Sequence, residues 1–310
     1  MLAENETFVF GSELLGRRNP TPIDKLVGGA IFTLALAAVT LGSYNLYLIK
    51  IMPIFHCAFG RFLASRTVGE VGANLIHVVY SGPVTILQPR DIPAWVGIVA
   101  FTISYFYACH ACAMHQIVSL NRMVAVCFPL RYRFIFKKKI CFTIIVSVWV
   151  FVLLVLSSYN IFPCNQVGYS PTLYEFVFVK CRPNLERDLS IVGTVVNRAC
   201  FAICLNTMVC DLITLTKIIQ IKRSGIHRTH FNRDVRFFAQ TSIQNVTMIA
   251  ALTMIMVVNN GSTDGLLMNV FAFNTLLVTH INNALAMIVF NPEVRARFYR
   301  STSAVRTYSK

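Results

Sequence analysis

Apolar residues in this chain run together in long blocks, each bounded by charges or turn residues, and polar positions gather between them. Seven blocks stand out, at 26–49, 59–86, 92–121, 140–162, 189–216, 237–258 and 266–290. A helix needs about 20 mostly apolar residues to cross the hydrocarbon core, whereas a membrane barrel would show short alternating segments. The pattern therefore predicts an all-α membrane protein built as a seven-transmembrane helix bundle. The second and fifth blocks are the weakest, because Arg61, Arg66 and Glu70 interrupt one and Arg198 and Asp211 the other.

Composition supports lipid as the solvent. Of 310 residues, 55% are hydrophobic and 13% charged, against about 25% charged in a soluble protein. A soluble enzyme is excluded on that ground. The net charge of +15 does not mark a nucleic-acid partner, which needs a basic face on a water-soluble body; here the basic residues lie between apolar blocks.

Their distribution is sided. The loops around Lys50, 122–139 and 217–236 and the tail beyond Pro292 hold 18 basic residues, with Asp234 and Glu293 the only acids. The N-terminus and the other three loops hold 7 basic and 9 acidic. By the positive-inside rule the N-terminus is expected outside and the tail in the cytosol, although Arg17, Arg18 and Lys25 blur the signal at the first span. Two glycosylation sequons, at Asn5 and Asn260, fall on the expected outer side; a third, at Asn245, lies within the sixth span. The first 25 residues lack the apolar core of a cleaved signal peptide. The longest outer loop, 163–188, leaves no room for a soluble catalytic domain. Three regions result: an extracellular N-terminus (1–25), the seven-span domain (26–290) and a cytosolic end (291–310).

At the inner end of the third span stands Asn121-Arg122-Met123-Val124-Ala125-Val126-Cys127-Phe128-Pro129-Leu130-Arg131-Tyr132. This resembles the rhodopsin-like G-protein-coupled receptors, whose third helix ends in Asp/Glu-Arg-Tyr followed by an apolar stretch and Pro-Leu-Arg-Tyr. Read without its neighbours, Arg122 is equally a cation snorkelling to the interface. The resemblance makes it a switch residue meeting the transducer, with Pro129, Leu130, Arg131 and Tyr132 forming the inner loop beside it. Asn121 replaces the family carboxylate and cannot form an ion pair with Arg122, so another partner is expected, with Asp234 at the base of the sixth span a candidate.

In the seventh span Asn283 matches the family's Asn-Pro-x-x-Tyr, while Ala284 and Met287 depart from it. Downstream, Asn291-Pro292-Glu293 suits the start of a short amphipathic eighth helix, with Asn291 capping it and Arg295 and Arg297 toward an anionic leaflet. Asn45 and Trp149 resemble the markers of the first and fourth helices. Spans five and six lack Pro, the sixth lacks Cys-Trp-x-Pro, and no Cys stands at the outer end of the third. These departures exclude a typical amine or peptide receptor. The run Phe59-Gly60-Arg61-Phe62-Leu63-Ala64-Ser65-Arg66, the Leu120-Asn121-Arg122 junction and Phe290-Asn291-Pro292-Glu293 together resemble the nematode serpentine chemoreceptors of class X. The resemblance covers nearly the whole chain. It implies a heterotrimeric G protein and a small, odorant-like ligand as partners beside membrane lipid, with the plasma membrane as location and sensory cilia one destination.

Ionisable groups at membrane depth usually face a bundle interior. Arg66 and Glu70, one helical turn apart, can pair, as a structural pair or as part of a network. The resemblance places Glu70 near the acid of the second helix that joins Asn45, Asn283 and His280. Arg198 reads either as an anchor for an anionic ligand or as a snorkelling cation. With the third span entering near Ile92, ligand candidates there are Ser104, Tyr107 and His110, and in the seventh span Phe273, Asn274 and Leu277; plain packing is the alternative for each.

Ten cysteines invite a disulfide or metal reading. Eight lie in or beside spans, where small apolar packing is the default. Cys109-His110-Ala111-Cys112 with His115 does not make a metal site, since a helix brings only Cys109 and Cys112 close. Cys164 and Cys181 share the outer loop, where an oxidising compartment favours a bond between them. No cofactor or metal is expected, and no nucleophile or paired carboxylates suggest an enzyme. The rival to a receptor is a seven-span transporter or ligand-gated cation channel, against which stand the Arg122–Tyr132 motif and the lack of a charge-lined path through several spans.

Overall fold

The computed structural model describes residues 8–183, 185–224, 231–260 and 266–297, without the side chains at 232, 233 and 258–260. The spans are Pro22–Ile51, Ala58–Ile76 continuing through Leu87, Ala94–Cys127, Lys138–Ile161, Ile191–Arg223, Phe231–Asn260 and Leu266–Phe290. Six of these helices are long and apolar enough to cross a membrane; the second, carrying Arg61, Arg66 and Glu70, falls short. The third and fifth overshoot the apolar blocks at their inner ends, because polar residues continue a helix once it leaves lipid. Below, the end carrying the N-terminus and the 163–188 loop is termed outer, and the end carrying Arg122 inner.

The second span is not one uniform helix. A π-helical turn at His77–Ser81 is followed by Gly82–Leu87. Pro83 explains it: proline has no N–H and its ring clashes with the carbonyl four residues back, which a widened turn accommodates. The second and third spans approach closely because Gly69 has no side chain. A Cβ there would lie 2.8 Å from the Tyr107 carbonyl oxygen, and small residues at such crossings let helix backbones pack in lipid. The fourth span is peripheral. Of its residues only Cys141, Val152, Leu156 and Tyr159 are buried, and Phe142, Phe151 and Leu154 stand on its exposed face.

The main apolar core occupies the inner half, where Phe55, Phe59, Phe62, Met114, Phe237 and Met287 meet. The outer end is closed by polar contacts. Thr21 and Asp24 form a reciprocal capping box at the start of the first span, with Pro22 in its first turn. Asp24, fully buried, also accepts from Arg17 (3.0 Å), Gln88 (3.0 Å) and the Tyr174 hydroxyl (2.5 Å). One carboxylate thereby ties the N-terminal segment and the first two spans to the outer loop.

That loop forms an antiparallel hairpin, a departure from the all-helical expectation confined to this segment. β1 (Val167–Ser170) pairs with β2 (Glu175–Phe178) in the register Gly168 opposite Val177 and Tyr169 opposite Phe176. A disulfide joins Cys164 to Cys181 across the hairpin base. Leu14 packs onto the hairpin, and the Leu14 side chain lies 2.5 Å from where a Cβ at Gly168 would stand.

After Phe290 the chain turns into a helix at 292–297, whose Val294 is buried while Arg295 and Arg297 are exposed. Asn291 stands at the start of this helix, its carbonyl accepting from the Arg295 N–H. Its side-chain amide donates to Gln240 (2.8 Å) and to the Met287 carbonyl (2.9 Å), tying the sixth and seventh spans.

Candidate functional site

At the inner end Arg122 is buried, 3% exposed, so it does not snorkel. Its guanidinium lies 3.8 Å over the Phe59 ring and 5.1 Å from the Phe237 ring. It donates to Asn121 Oδ1 at 3.2 Å and stands 3.8 Å from Asp234 Oδ1. The sixth-span carboxylate thus supplies the charge that Asn121 lacks. The Asn121 amide in turn lies 3.3 Å from the Tyr132 hydroxyl, joining the third span to the inner loop. Pro129, Leu130 and Arg131 are exposed on the short helix Pro129–Ile135, with Leu130 at 85%.

Halfway along the bundle lies a buried polar network. Arg66 Nε is 3.3 Å from Glu70 Oε1, and Arg66 also donates to Gln244 at 2.8 Å. Asn283 donates to Glu70 at 2.7 Å, and His115 Nε2 lies 3.4 Å from the same carboxylate oxygen. His280 meets Asn74 at 2.7 Å, and Asn45 donates to the Ala284 carbonyl at 3.0 Å. All five residues the sequence nominated sit here.

Six members were missed. The other nitrogen of His115 meets Asn245 at 3.0 Å, Asn245 donates to Asp211 at 2.7 Å, and Ser119 donates to the other Asp211 oxygen at 2.6 Å. Asn74 and Gln244 complete the set. The expectation that no charge-lined path crosses several spans is therefore corrected: Arg66, Glu70, His115 and Asp211 link the second, third and fifth spans through Asn245 of the sixth. Each is buried and bonded to its neighbours, the form in which charge is tolerated at such depth. His115 and Asp211 were legible as polar residues inside apolar blocks, but their shared partner Asn245 lay hidden in a sequon.

Beneath the hairpin is a cavity of about 180 Å3. The third span presents Phe101, Ser104, Tyr105, Ala108, Cys109 and Cys112 to it, and the seventh Asn269, Ala272, Phe273, Leu276 and His280, each set one helical stripe. Glu175 and Phe176 of β2 form its roof. Of the sequence candidates, Ser104 and Phe273 line this space; the other five do not. Tyr107 packs on Trp149, His110 stacks on Trp149 at 3.5 Å and bonds Ser65, and Leu277 is buried against the first span. Asn274 turns back to the Val270 carbonyl, and Arg198 is exposed. The physical reason is rotation: shifting a helix by one position turns its face by about 100°, and sequence fixes the entry point no better than that.

Outside the spans, burial in this roof pushes the Glu175 carboxyl up to about 7. Its one side-chain hydrogen bond among the described residues is accepted from Asn269, at 2.8 Å. On the rim, the carboxylate of Asp188 holds the exposed Lys180 ammonium above its usual range. The Cys109–His115 segment disperses as expected for packing: His110 faces Trp149, His115 faces Asn245, and the Cys112 and Cys204 sulfurs lie 3.9 Å apart. Asn5, the side chain of Asn260 and the two residues that complete its sequon lie outside the described residues, whereas Asn245 is buried in the network.

The structure is thus a seven-helix bundle with a buried cation at one end and a lined cavity at the other. The sequence profile described as serpentine type 7TM GPCR chemoreceptor Srx matches residues 32–291, and the chain belongs to that family. Serpentine receptor class X 45 of Caenorhabditis elegans is 23% identical over 150 residues, 48% of this chain and 41% of that protein. Human olfactory receptor 10A7 is 28% identical over 152 residues, 48% of this chain and 47% of that protein. The chain thus spans about half the length of these curated relatives. The crystal structure of squid rhodopsin matches with a TM-score of 0.73 at 12% identity, covering 94% of this chain and 89% of that one, a likeness of fold. The chain is a multi-pass membrane protein of a receptor family, and not an enzyme.

Proposed function

We propose that this protein is a chemosensory receptor of the plasma membrane, N-terminus outside, which binds a small molecule in the outer cavity and activates a heterotrimeric G protein at its inner end. The observation that carries the reading is Arg122, buried over Phe59 and facing Asp234 across the third and sixth spans. A cation held between two spans by a partly exposed carboxylate is a two-state element: separating the spans releases it toward the inner face. Exposed Leu130 and Arg131 flank the cleft that would open.

The cavity and the network share a residue. His280 lines the cavity and bonds Asn74, whose amide also bonds the Glu70 carbonyl. A ligand that moves the seventh span shifts the partners of Glu70. Effector and transducer would then bias the same pair of bundle states.

Nucleotide exchange in membranes containing the receptor and a panel of G proteins tests this. Ligand-driven exchange is expected from the wild type and absent from Arg122→Ala at equal surface level. Asn121→Asp, which restores a carboxylate beside Arg122, is expected to lower basal exchange. Arg122→Ala signalling like the wild type would reject the receptor reading. An epitope at the N-terminus is expected to label on intact cells, and one after Lys310 only after permeabilisation.

A further inference from the structure

The cavity has an electrostatic character of its own. Among the described residues its lining includes one carboxylate, Glu175, and no Lys or Arg. Arg198, the cation nearest in sequence to the cavity wall, is exposed and does not line it. Asn269 gives Glu175 one neutral hydrogen bond, and among the described residues no basic side chain forms an ion pair with it. Around the same space stand aromatic rings. Phe176, next to Glu175 in β2, lies 5.0 Å from Phe101 and 5.7 Å from Phe273 between ring centres, and Tyr105 and Tyr159 close the side toward the third and fourth spans.

A carboxylate in an aromatic-lined space with no competing cation among the described residues recognises a positive charge, through an ion pair and through the negative faces of the rings. An anion would meet repulsion from Glu175 and no compensating cation. A neutral ligand would leave the half-buried Glu175 carboxyl with the Asn269 bond it already has. We propose, within the receptor reading given above, that the outer cavity selects a small organic amine, bound as its ammonium between the Glu175 carboxylate and the aromatic rings around it. The carboxylate comes from the outer loop, not from a helix, so the hairpin both roofs the cavity and supplies the anchor. Size agrees: an apolar cavity of about 150 Å3 holds benzene, so about 180 Å3 suits an amine on a chain or ring of similar bulk.

The consequence is a pH dependence of defined sign. In the unliganded protein burial holds Glu175 up to about 7, and an ammonium beside it favours the ionised form, so binding releases a proton near neutrality and weakens as pH falls. The other titratable groups lining the space are Tyr105, Cys109 and Cys112 on the third span, Tyr159 on the fourth, Cys200 on the fifth, and His77 and His280 on the second and seventh; Tyr169 on β1 stands near Glu175 without lining it. Protonation of either histidine would also repel an amine, so the Glu175 share is the part abolished by Glu175→Gln, which keeps the shape and the Asn269 bond.

The test uses the purified full chain in detergent, with binding isotherms and unfolding midpoints read for butylamine, cyclohexylamine and benzylamine against butanol, cyclohexanol, benzyl alcohol and benzoate. At least one amine is expected to bind about tenfold or more tightly than its alcohol at alkaline pH. Its affinity should fall about 30-fold from about pH 8.5 to about pH 5.5, and Glu175→Gln should reduce it to the alcohol's level while leaving the alcohol unchanged. Amines that do not bind, amines and alcohols that bind alike, tightest binding by benzoate, or undiminished amine binding by Glu175→Gln would each overturn the proposal. Should Glu175→Gln not fold, the amine–alcohol comparison on the wild type decides. The readout needs no G protein, so its failure leaves the receptor reading standing, whereas amine binding without any nucleotide exchange would reject that reading alone.

Discussion

Two carboxylates, one in the middle of the bundle and one at its mouth, show how differently this protein treats buried charge. Glu70 is met by Arg66, His115 and Asn283 from three spans. Among the described residues Glu175 is met by Asn269 alone. In the middle the charge is compensated within the protein and serves as a fixed joint between helices. At the mouth it is left for something else to compensate. Breaking a buried ion pair strands the surviving partner, which is costly, whereas an under-compensated group near the surface is available for recognition.

The sharpest way to break this comparison is Glu70→Ala, which leaves the Arg66 guanidinium buried without its carboxylate. A loss of about 3–5 kcal/mol is expected, read as a collapse of surface delivery and of the unfolding midpoint in detergent. Glu70→Ala with wild-type stability would mean that the network is not structural. Next in size is the cross-link at the hairpin base. Cys164→Ser with Cys181→Ser releases a loop with a sequence separation of 17, for which loop-closure entropy gives about 3 kcal/mol. Protease nicking within 165–180 should rise well before the bundle unfolds.

A smaller effect is expected from Thr21→Ala. It removes one half of the capping box that positions Asp24, at a cost of about 1 kcal/mol; a lower unfolding midpoint with unchanged inner-end coupling would place the damage at the mouth. The last is read as a pH dependence and concerns Glu175. Its carboxyl is raised in the folded state, so its contribution to stability is full below its unfolded value of 4.5 and is lost as pH rises toward about 7. The ligand-free wild type should therefore lose part of its unfolding midpoint across that window, and Glu175→Gln should flatten the change while altering stability near pH 5 by less than about 0.5 kcal/mol. Equal stability losses for Glu70 and Glu175 variants would erase the distinction between the two regions.

How much of this was readable beforehand differs by region. The seventh block, 266–290, coincides with its helix, and the other spans were placed within several residues, because a long apolar run has few alternatives in lipid. The inner site was legible for a local reason too: Asn121, Arg122 and Pro129–Tyr132 fall within one short stretch of sequence, and Asp234 was named from its place at the foot of the sixth span. The cavity was not. Its stripes are regular, but nothing in a helix that is apolar on all sides fixes which stripe faces inward, and five of seven candidates were rotated away.

By itself, then, the sequence determined the number of spans, their approximate ends, the inner motif and the polar residues that lipid would not accept. Those follow from hydropathy and from backbone hydrogen bonding, both local properties. Tertiary structure alone decided which polar residues met, as in the joining of Glu70 through His115 and Asn245 to Asp211, and which helix faces lined the cavity. It also decided that Glu175, an ordinary loop acid in the sequence, would fold back over that cavity, because the Asp24 cap, the Cys164–Cys181 bond and Leu14 against Gly168 pin the hairpin down. Such contacts join residues distant along the chain, and only packing chooses among them.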